Sequence, residues 1–155
     1  MKTKKLFGFH PIMLAPILVG IALVAPGCDE VDLGRLSQTL AGIATANDTM
    51  LEVVLAAEES ELISDAEARP FVEAALKIGL AGREAVAVTA QIAEMDAAAR
   101  GDLFQILDPI LDAVDDIIGS EDLSGIKNAE ARASIRLTLV AIRTTITTAR
   151  VLMED

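Results

Sequence analysis

Apolar residues recur along the chain in four stretches at steps of three and four, the spacing that places them on one face of an α-helix. The first such face consists of Leu36, Leu40, Ile43, Asn47, Met50, Val54 and Ala57. The second and third run from Phe71 to Ile92 and from Leu103 to Ile117. We therefore predict an all-α protein, a four-helix and mostly antiparallel bundle, with helices over about 31–58, 65–95, 97–118 and 129–152.

The last stretch is ambiguous at its centre, because Ile135, Leu137 and Leu139 alternate with polar residues as they would in a strand. Over its full length the helical spacing is kept by Ile135, Leu139, Ile142, Ile146, Ala149 and Met153. A helix is therefore predicted. Because Leu137, Val140, Val151 and Leu152 widen its apolar surface, we expect this helix to be the most buried of the four.

Capping residues and breakers set the predicted helix ends. Asp32, Asp96 and Asn128 precede three of the helices and can cap them, and Ser64 with Glu67 forms a capping box at the start of the second.

Two prolines lie inside the predicted helices, and a glycine is expected to end one of them. Pro70 lies inside the second predicted helix and Pro109 inside the third, and a proline has no backbone N–H to donate. We therefore predict a kink or a restart of the helix at Pro70 and a bend at Pro109. Gly119 is expected to end the third helix, before a short polar loop over 120–127.

The first 28 residues have a separate organisation. The positive segment MKTKK precedes an uncharged apolar run over 11–24, and Gly27 and Cys28 follow. This order is typical of a secretory signal. It resembles the precursor of a bacterial lipoprotein, in which a cysteine after a small residue is lipidated and becomes the new N-terminus. The resemblance implies a signal peptide over 1–27 and a domain over 28–155 that is exported to the periplasmic or outer face of a membrane and anchored through Cys28.

An uncleaved transmembrane helix over 6–25 is the alternative, since its length approaches the roughly 20 residues that a membrane span requires. Pro11, Pro16 and Gly20 make this segment a poor span. The rest of the chain resembles only uncharacterised helical lipoproteins of bacteria, which implies no function.

The net charge of the predicted domain limits the classes of molecule that it can bind. All 24 acidic residues follow residue 27, but only ten of the 13 basic residues do, so the anchored domain carries a net charge of −14. Nucleic-acid binding requires clustered cations to neutralise phosphates, so we expect no nucleic-acid partner.

Catalytic chemistry has few candidate residues. His10 is the one histidine and Cys28 the one cysteine, and both lie in or next to the predicted signal. A catalytic triad, a cysteine–histidine pair, a zinc site and a histidine-containing di-iron site therefore cannot be assembled in the domain. We expect no catalytic residues, no metal site and no cofactor.

An acidic stripe is predicted on the third helix, where Asp108, Asp112 and Asp115 project within about 60° of one another. They lie opposite the apolar face of that helix. A solvated helix surface is the simplest interpretation. The functional alternative is a weak cation site or a docking stripe for a partner.

An arginine stripe is predicted on the last helix, where Arg132, Arg136, Arg143 and Arg150 project within about 40° of one another. The stripe adjoins the apolar face, so the aliphatic stems can cover the core while the guanidinium groups reach carboxylates of neighbouring helices. An intramolecular row of ion pairs is one interpretation. A contact surface for an anionic partner or a lipid headgroup is the other.

Three functional hypotheses follow. The first is a non-enzymatic interaction or scaffold lipoprotein of the bacterial envelope, whose partner is an envelope protein. The second is a bundle that binds an apolar small molecule or a lipid between its aliphatic helices. The third and weakest is an enzyme that uses carboxylates alone, which would need paired acids facing a cleft.

Overall fold

The computed structural model describes residues 32–92 and 94–154, and the predicted signal peptide and Cys28 lie outside these ranges. The described chain contains four long helices, α1 (Leu33–Glu59), α2 (Asp65–Thr89), α3 (Ala97–Gly119) and α5 (Ala129–Glu154). A short helix, α4 (Glu121–Gly125), lies between α3 and α5. Within these ranges no strand is present, so the predicted all-α four-helix bundle is confirmed.

The four long helices form a closed ring in which α1 packs against α2 and α5, and α3 packs against the same two helices. Helices α1 and α3 occupy opposite corners and do not meet. Each helix therefore has two neighbours, and one side of every helix remains at the surface.

The predicted faces form a core in which Phe71 is the only fully buried aromatic side chain among the described residues, and the buried polar residues there are Asn47, Thr89 and Thr138. Every residue of the predicted α1 face is buried, and so are all six residues that gave α5 its helical spacing. In a strand, Leu137 and Leu139 would lie on the same face and would be buried together. Leu137 is exposed and Leu139 is fully buried, so the residues follow the period of a helix.

The predicted caps are present at the helix starts. The backbone N–H of Arg35 donates to Asp32 Oδ1 at 3.0 Å, and Ala99 N–H donates to Asp96 Oδ1 at 2.8 Å. Asn128 accepts the amide of Ala131 in the same way at 2.9 Å. These bonds satisfy amides that have no partner within their own helix.

The capping box at the start of α2 is complete. Ser64 Oγ accepts the amide of Glu67, while Glu67 Oε2 accepts both the hydroxyl and the backbone N–H of Ser64, at 2.7 and 2.8 Å. These donors, the hydroxyl first and the amide second, hold the pKa of Glu67 below its ordinary value.

Two local predictions are wrong. Helix α2 ends at Thr89 rather than at 95, because the amides of Gln91 and Ile92 bond to carbonyls three residues back and close the chain into a turn. The helix starts at Asp65 as predicted and is continuous through Pro70, so of the two alternatives at Pro70 the restart does not occur. The predicted loop over 120–127 contains α4, which Ser120 caps by accepting the amide of Leu123.

The expectation that α5 is the most buried helix is also wrong. Leu137, Val140 and Val151 are 62%, 40% and 49% exposed. The reason is the ring arrangement, since α5 packs against α1, α3 and the short α4 and has no neighbour on its outer side. Leu152 is partly buried against the core, but the other three additional apolar residues widen the outer surface of the bundle.

Helix α1 is the one helix within the described ranges that is long and apolar enough to cross a membrane. The core helix of a bundle has the same composition, and α1 buries seven residues against α2 and α5. A helix of this kind near the N-terminus is compatible with a membrane anchor, but packing alone accounts for it.

Candidate interaction surface on helix α5

The structure brings the arginine stripe and the acidic stripe together across the boundary of α3 and α5. Arg143 Nε lies 2.7 Å from Asp115 Oδ1, and its Nη2 donates to Asp115 Oδ2 at 3.4 Å. Seven residues further along α5, Arg150 Nη1 lies 3.3 Å from Asp108 Oδ1. The two helices run antiparallel, so equal spacings on both sides align the pairs.

These contacts change the interpretation of the acidic stripe. Asp108 and Asp115 do not face solvent alone, since each is about half exposed and contacts a guanidinium group. Asp112 is exposed and forms no ion pair within residues 32–92 and 94–154. Two of the three members of the acidic stripe therefore form one side of an interhelical ion-pair row.

The four arginines have different environments. Arg150 contacts Asp108 and also lies over the ring of Phe104. Its guanidinium carbon is 5.5 Å from the centre of that ring, which is a cation–π distance. Arg132 Nη1 donates to the backbone carbonyl of Ile126 at 2.8 Å and so fixes the chain between α4 and α5.

Arg136 differs from the other three. It is exposed and has neither a hydrogen bond nor an ion pair in the part of the chain that the structure describes. Together with Arg132 it lines an open cleft of about 360 Å³, whose other walls come from Ile118, Leu123 and Ala133. Arg136 is therefore the member of the arginine stripe whose charge is available to a partner.

Beside the arginine stripe, α5 presents an uncharged surface, although the apolar residues in it were expected to lie in the core. We call this surface the α5 outer face. All of its members are exposed: Ala133, Leu137, Val140, Thr144, Thr147 and Val151. The signal was present in the sequence, because these residues form a second set at helical spacing beside the buried one.

The threonines of the α5 outer face use their hydroxyl groups within the helix. Thr144 Oγ1 donates to the carbonyl of Val140 at 2.8 Å, and Thr147 Oγ1 donates to that of Arg143 at 2.9 Å. With these donors occupied, the methyl groups are the part that each threonine offers to a partner. The whole face is consequently more apolar than its composition indicates.

A second cleft, of about 530 Å³, lies between α2 and α3 and contains Glu84 and Asp102 in its wall. Among residues 32–92 and 94–154, no group of three histidine, cysteine or acidic side chains is arranged to hold a metal ion. Two carboxylates, the side-chain amide of Gln105 and apolar side chains line this cleft.

No family model matches the chain, and neither the curated proteins nor the solved structures that were compared include a match. Functional inference therefore rests on the residues and their geometry.

Proposed function

We propose that this chain is a non-enzymatic interaction module of the bacterial envelope, exported by its N-terminal signal and held at the membrane by a lipid on Cys28. The observation that carries the interaction role is the exposed, uncharged α5 outer face beside Arg136, which has no partner among the residues that the structure describes. The anchor rests on the sequence of the first 28 residues.

The distance between Cys28 and the bundle supports a function close to the membrane surface. Only four peptide steps separate Cys28 from Asp32, the residue that caps α1. A chain extends by at most about 3.6 Å per residue, so a lipid on Cys28 would keep the start of α1 within about 15 Å of the bilayer. An anchored domain of this kind is placed to contact proteins of the same membrane.

The composition of the outer face supports contact with a protein. Exposed residues of a strongly acidic domain are expected to be charged or polar, and clustered apolar positions at the surface are typical of interaction sites. Leu137 is more exposed than Val140 and Val151 on the same face, and Arg136 directly precedes it.

The anchor is tested by substituting Cys28. We expect the parent protein to incorporate radiolabelled palmitate and to fractionate with membranes, whereas Cys28→Ser should do neither. A matched control is Cys28→Ser combined with Ser60→Cys, which restores one thiol away from the junction and should remain unlabelled. Processing and localisation of Cys28→Ser like those of the parent would overturn the anchor.

The interaction role is tested by a photo-crosslinking residue placed at Leu137 in living cells. We expect crosslinks to an envelope protein from this position. The control position is Leu76 on α2, which is similarly exposed but lies outside the α5 outer face. Equal crosslinking from both positions, or none from Leu137, would contradict a specific contact surface on α5.

A further inference from the structure

The spacing of the α5 outer face is that of a coiled-coil contact surface. From Ala133 to Val151 its members alternate at steps of four and three, so they occupy successive d and a positions of a heptad pattern. At 1.5 Å per residue the face is about 27 Å long, the length of five helical turns. A straight apolar strip of this length fits one helix lying along α5.

The two edges of this strip differ in charge. Arg136, Arg143 and Arg150 each directly precede an a position and so occupy the g positions on one edge. Uncharged residues occupy the e positions on the other edge, at Ser134, Ala141 and Thr148. Residues at e and g positions determine which helix pairs with which, so the edge with the arginines selects for carboxylates.

A second copy of this chain does not match the pattern of charges. In an antiparallel pair of α5 helices the g positions face each other, so arginines would face arginines. In a parallel pair, Glu130 and Glu154 lie at the two ends of the strip. Each would face the same glutamate of the second chain. Both arrangements place like charges together, which opposes association.

We propose that the α5 outer face is the docking site for one amphipathic helix of another protein. This helix has an apolar strip of about three heptads and carboxylates on the edge that faces the arginines. The proposal rests on the interaction role proposed above and specifies the chemistry of its partner.

The arginines contribute unequally to this recognition. Arg143 and Arg150 already pair with Asp115 and Asp108, so their charges are partly neutralised before binding. Arg136 has no such partner in the described chain and stands at the open cleft. A carboxylate of the docking helix opposite Arg136 therefore gains the most from pairing.

The test uses the full chain purified in mild detergent and two synthetic helices of three heptads. Both peptides carry Leu at the apolar positions, and they differ only in having Glu or Lys at the flanking positions. Binding is measured by fluorescence anisotropy. We expect the Glu peptide to bind at least about tenfold more tightly than the Lys peptide, and this preference should shrink on addition of salt.

Variants then locate the site. Leu137→Asp and Arg136→Glu should each weaken binding of the Glu peptide by about tenfold or more. Leu76→Asp, a matched change on α2, should leave it unchanged. Far-UV circular dichroism of each variant shows that the bundle is intact, since all three side chains are exposed.

Equal affinity for the two peptides would overturn the proposal. An equal loss of Glu-peptide binding in the Leu76→Asp and Leu137→Asp variants would also overturn it. So would a dimer in light scattering that Leu137→Asp dissociates, because the face would then belong to a second copy. The peptide experiment does not depend on lipidation. If it fails while photo-crosslinking at Leu137 succeeds, the interaction role stands and the helical, acidic partner is wrong.

Discussion

The side-chain amide of Asn47 on α1 lies directly against Gly79 on α2, so that a Cβ at position 79 would be 2.9 Å from Asn47 Nδ2. Asn47 is only 4% exposed, and its Oδ1 has no hydrogen-bond partner in the described chain. The amide is therefore enclosed at the interface of the two helices. Close approach of α1 and α2 depends on the missing side chain at Gly79.

We predict that Gly79→Ala destabilises the bundle. Alanine gains about 1 kcal/mol over glycine in a helix interior, but overpacking of a tight contact typically costs about 1–3 kcal/mol. Because the buried amide has little room to move, the steric cost should exceed the gain. Urea unfolding measures the change. Gly101→Ala is the control, since no atom lies within 4 Å of its added Cβ, and it should stabilise by up to about 1 kcal/mol.

Removing the amide should reverse the effect at position 79. In an Asn47→Ala background, Gly79→Ala is expected to be neutral or stabilising, because only the helix propensity remains. A double-mutant cycle without coupling between these positions would show that Asn47 does not limit the approach of α2.

A second prediction compares Leu139 with Leu137, two residues apart on α5. Leu139 is fully buried and Leu137 is 62% exposed. Leu139→Ala should cost about 2–5 kcal/mol of unfolding free energy, whereas Leu137→Ala should change it by no more than about 0.5 kcal/mol. Thermal and urea unfolding measure both. Similar costs at the two positions would be inconsistent with a helical α5 in this ring.

A third prediction ranks the ion pairs of α5. Arg143 and Asp115 are each about half exposed, so their pair should contribute no more than about 1 kcal/mol, and less at high salt. Arg150 is less exposed and also lies over the Phe104 ring, so Arg150→Ala should cost more than Arg143→Ala. Unfolding in urea at low and high salt tests this order. Arg136→Ala is the control, because Arg136 has no partner to lose within residues 32–92 and 94–154. A larger loss of unfolding free energy at Arg136 than at Arg143 or Arg150 would contradict these ion pairs.

A fourth prediction concerns acid. The lowered pKa of Glu67 means that folding favours its ionised carboxylate, which the hydroxyl and amide of Ser64 hold. The stabilisation that Glu67 contributes is therefore complete at a pH above its pKa in the unfolded chain, near 4.5. It is lost as the pH falls through the lower pKa that Glu67 has in the folded protein. Glu67→Gln should lower the melting temperature at neutral pH, and this difference should disappear in strong acid.

The control for the acid prediction is Ser64→Ala, which removes the hydroxyl donor. In that background the pH-dependent part of the Glu67→Gln effect should become smaller. If the melting temperatures of the parent and of the Glu67→Gln variant differed by the same amount from neutral to acidic pH, the capping box would not be the origin of the shifted pKa.

Much of the fold could be predicted from local pattern. The buried faces of α1 and α5 follow from spacing alone, because every third or fourth residue of a helix meets the same neighbour. The caps at Asp32, Ser64, Asp96 and Asn128 follow from side chains that bond to amides three residues ahead, an interaction within one segment. The early end of α2 at Thr89 could not be predicted, because small differences between competing local bonds decide where a helix ends.

Residue spacing along the chain is enough to establish apolar-faced helices with charged residues in stripes on two of them. Packing of the helices in three dimensions makes α3 and α5 neighbours, so that Asp115 meets Arg143 and Asp108 meets Arg150, while Arg136 meets neither. The same packing leaves Leu137, Val140 and Val151 facing outward. Spacing establishes which residues share a side of a helix, whereas the order of the helices around the ring establishes which sides are covered.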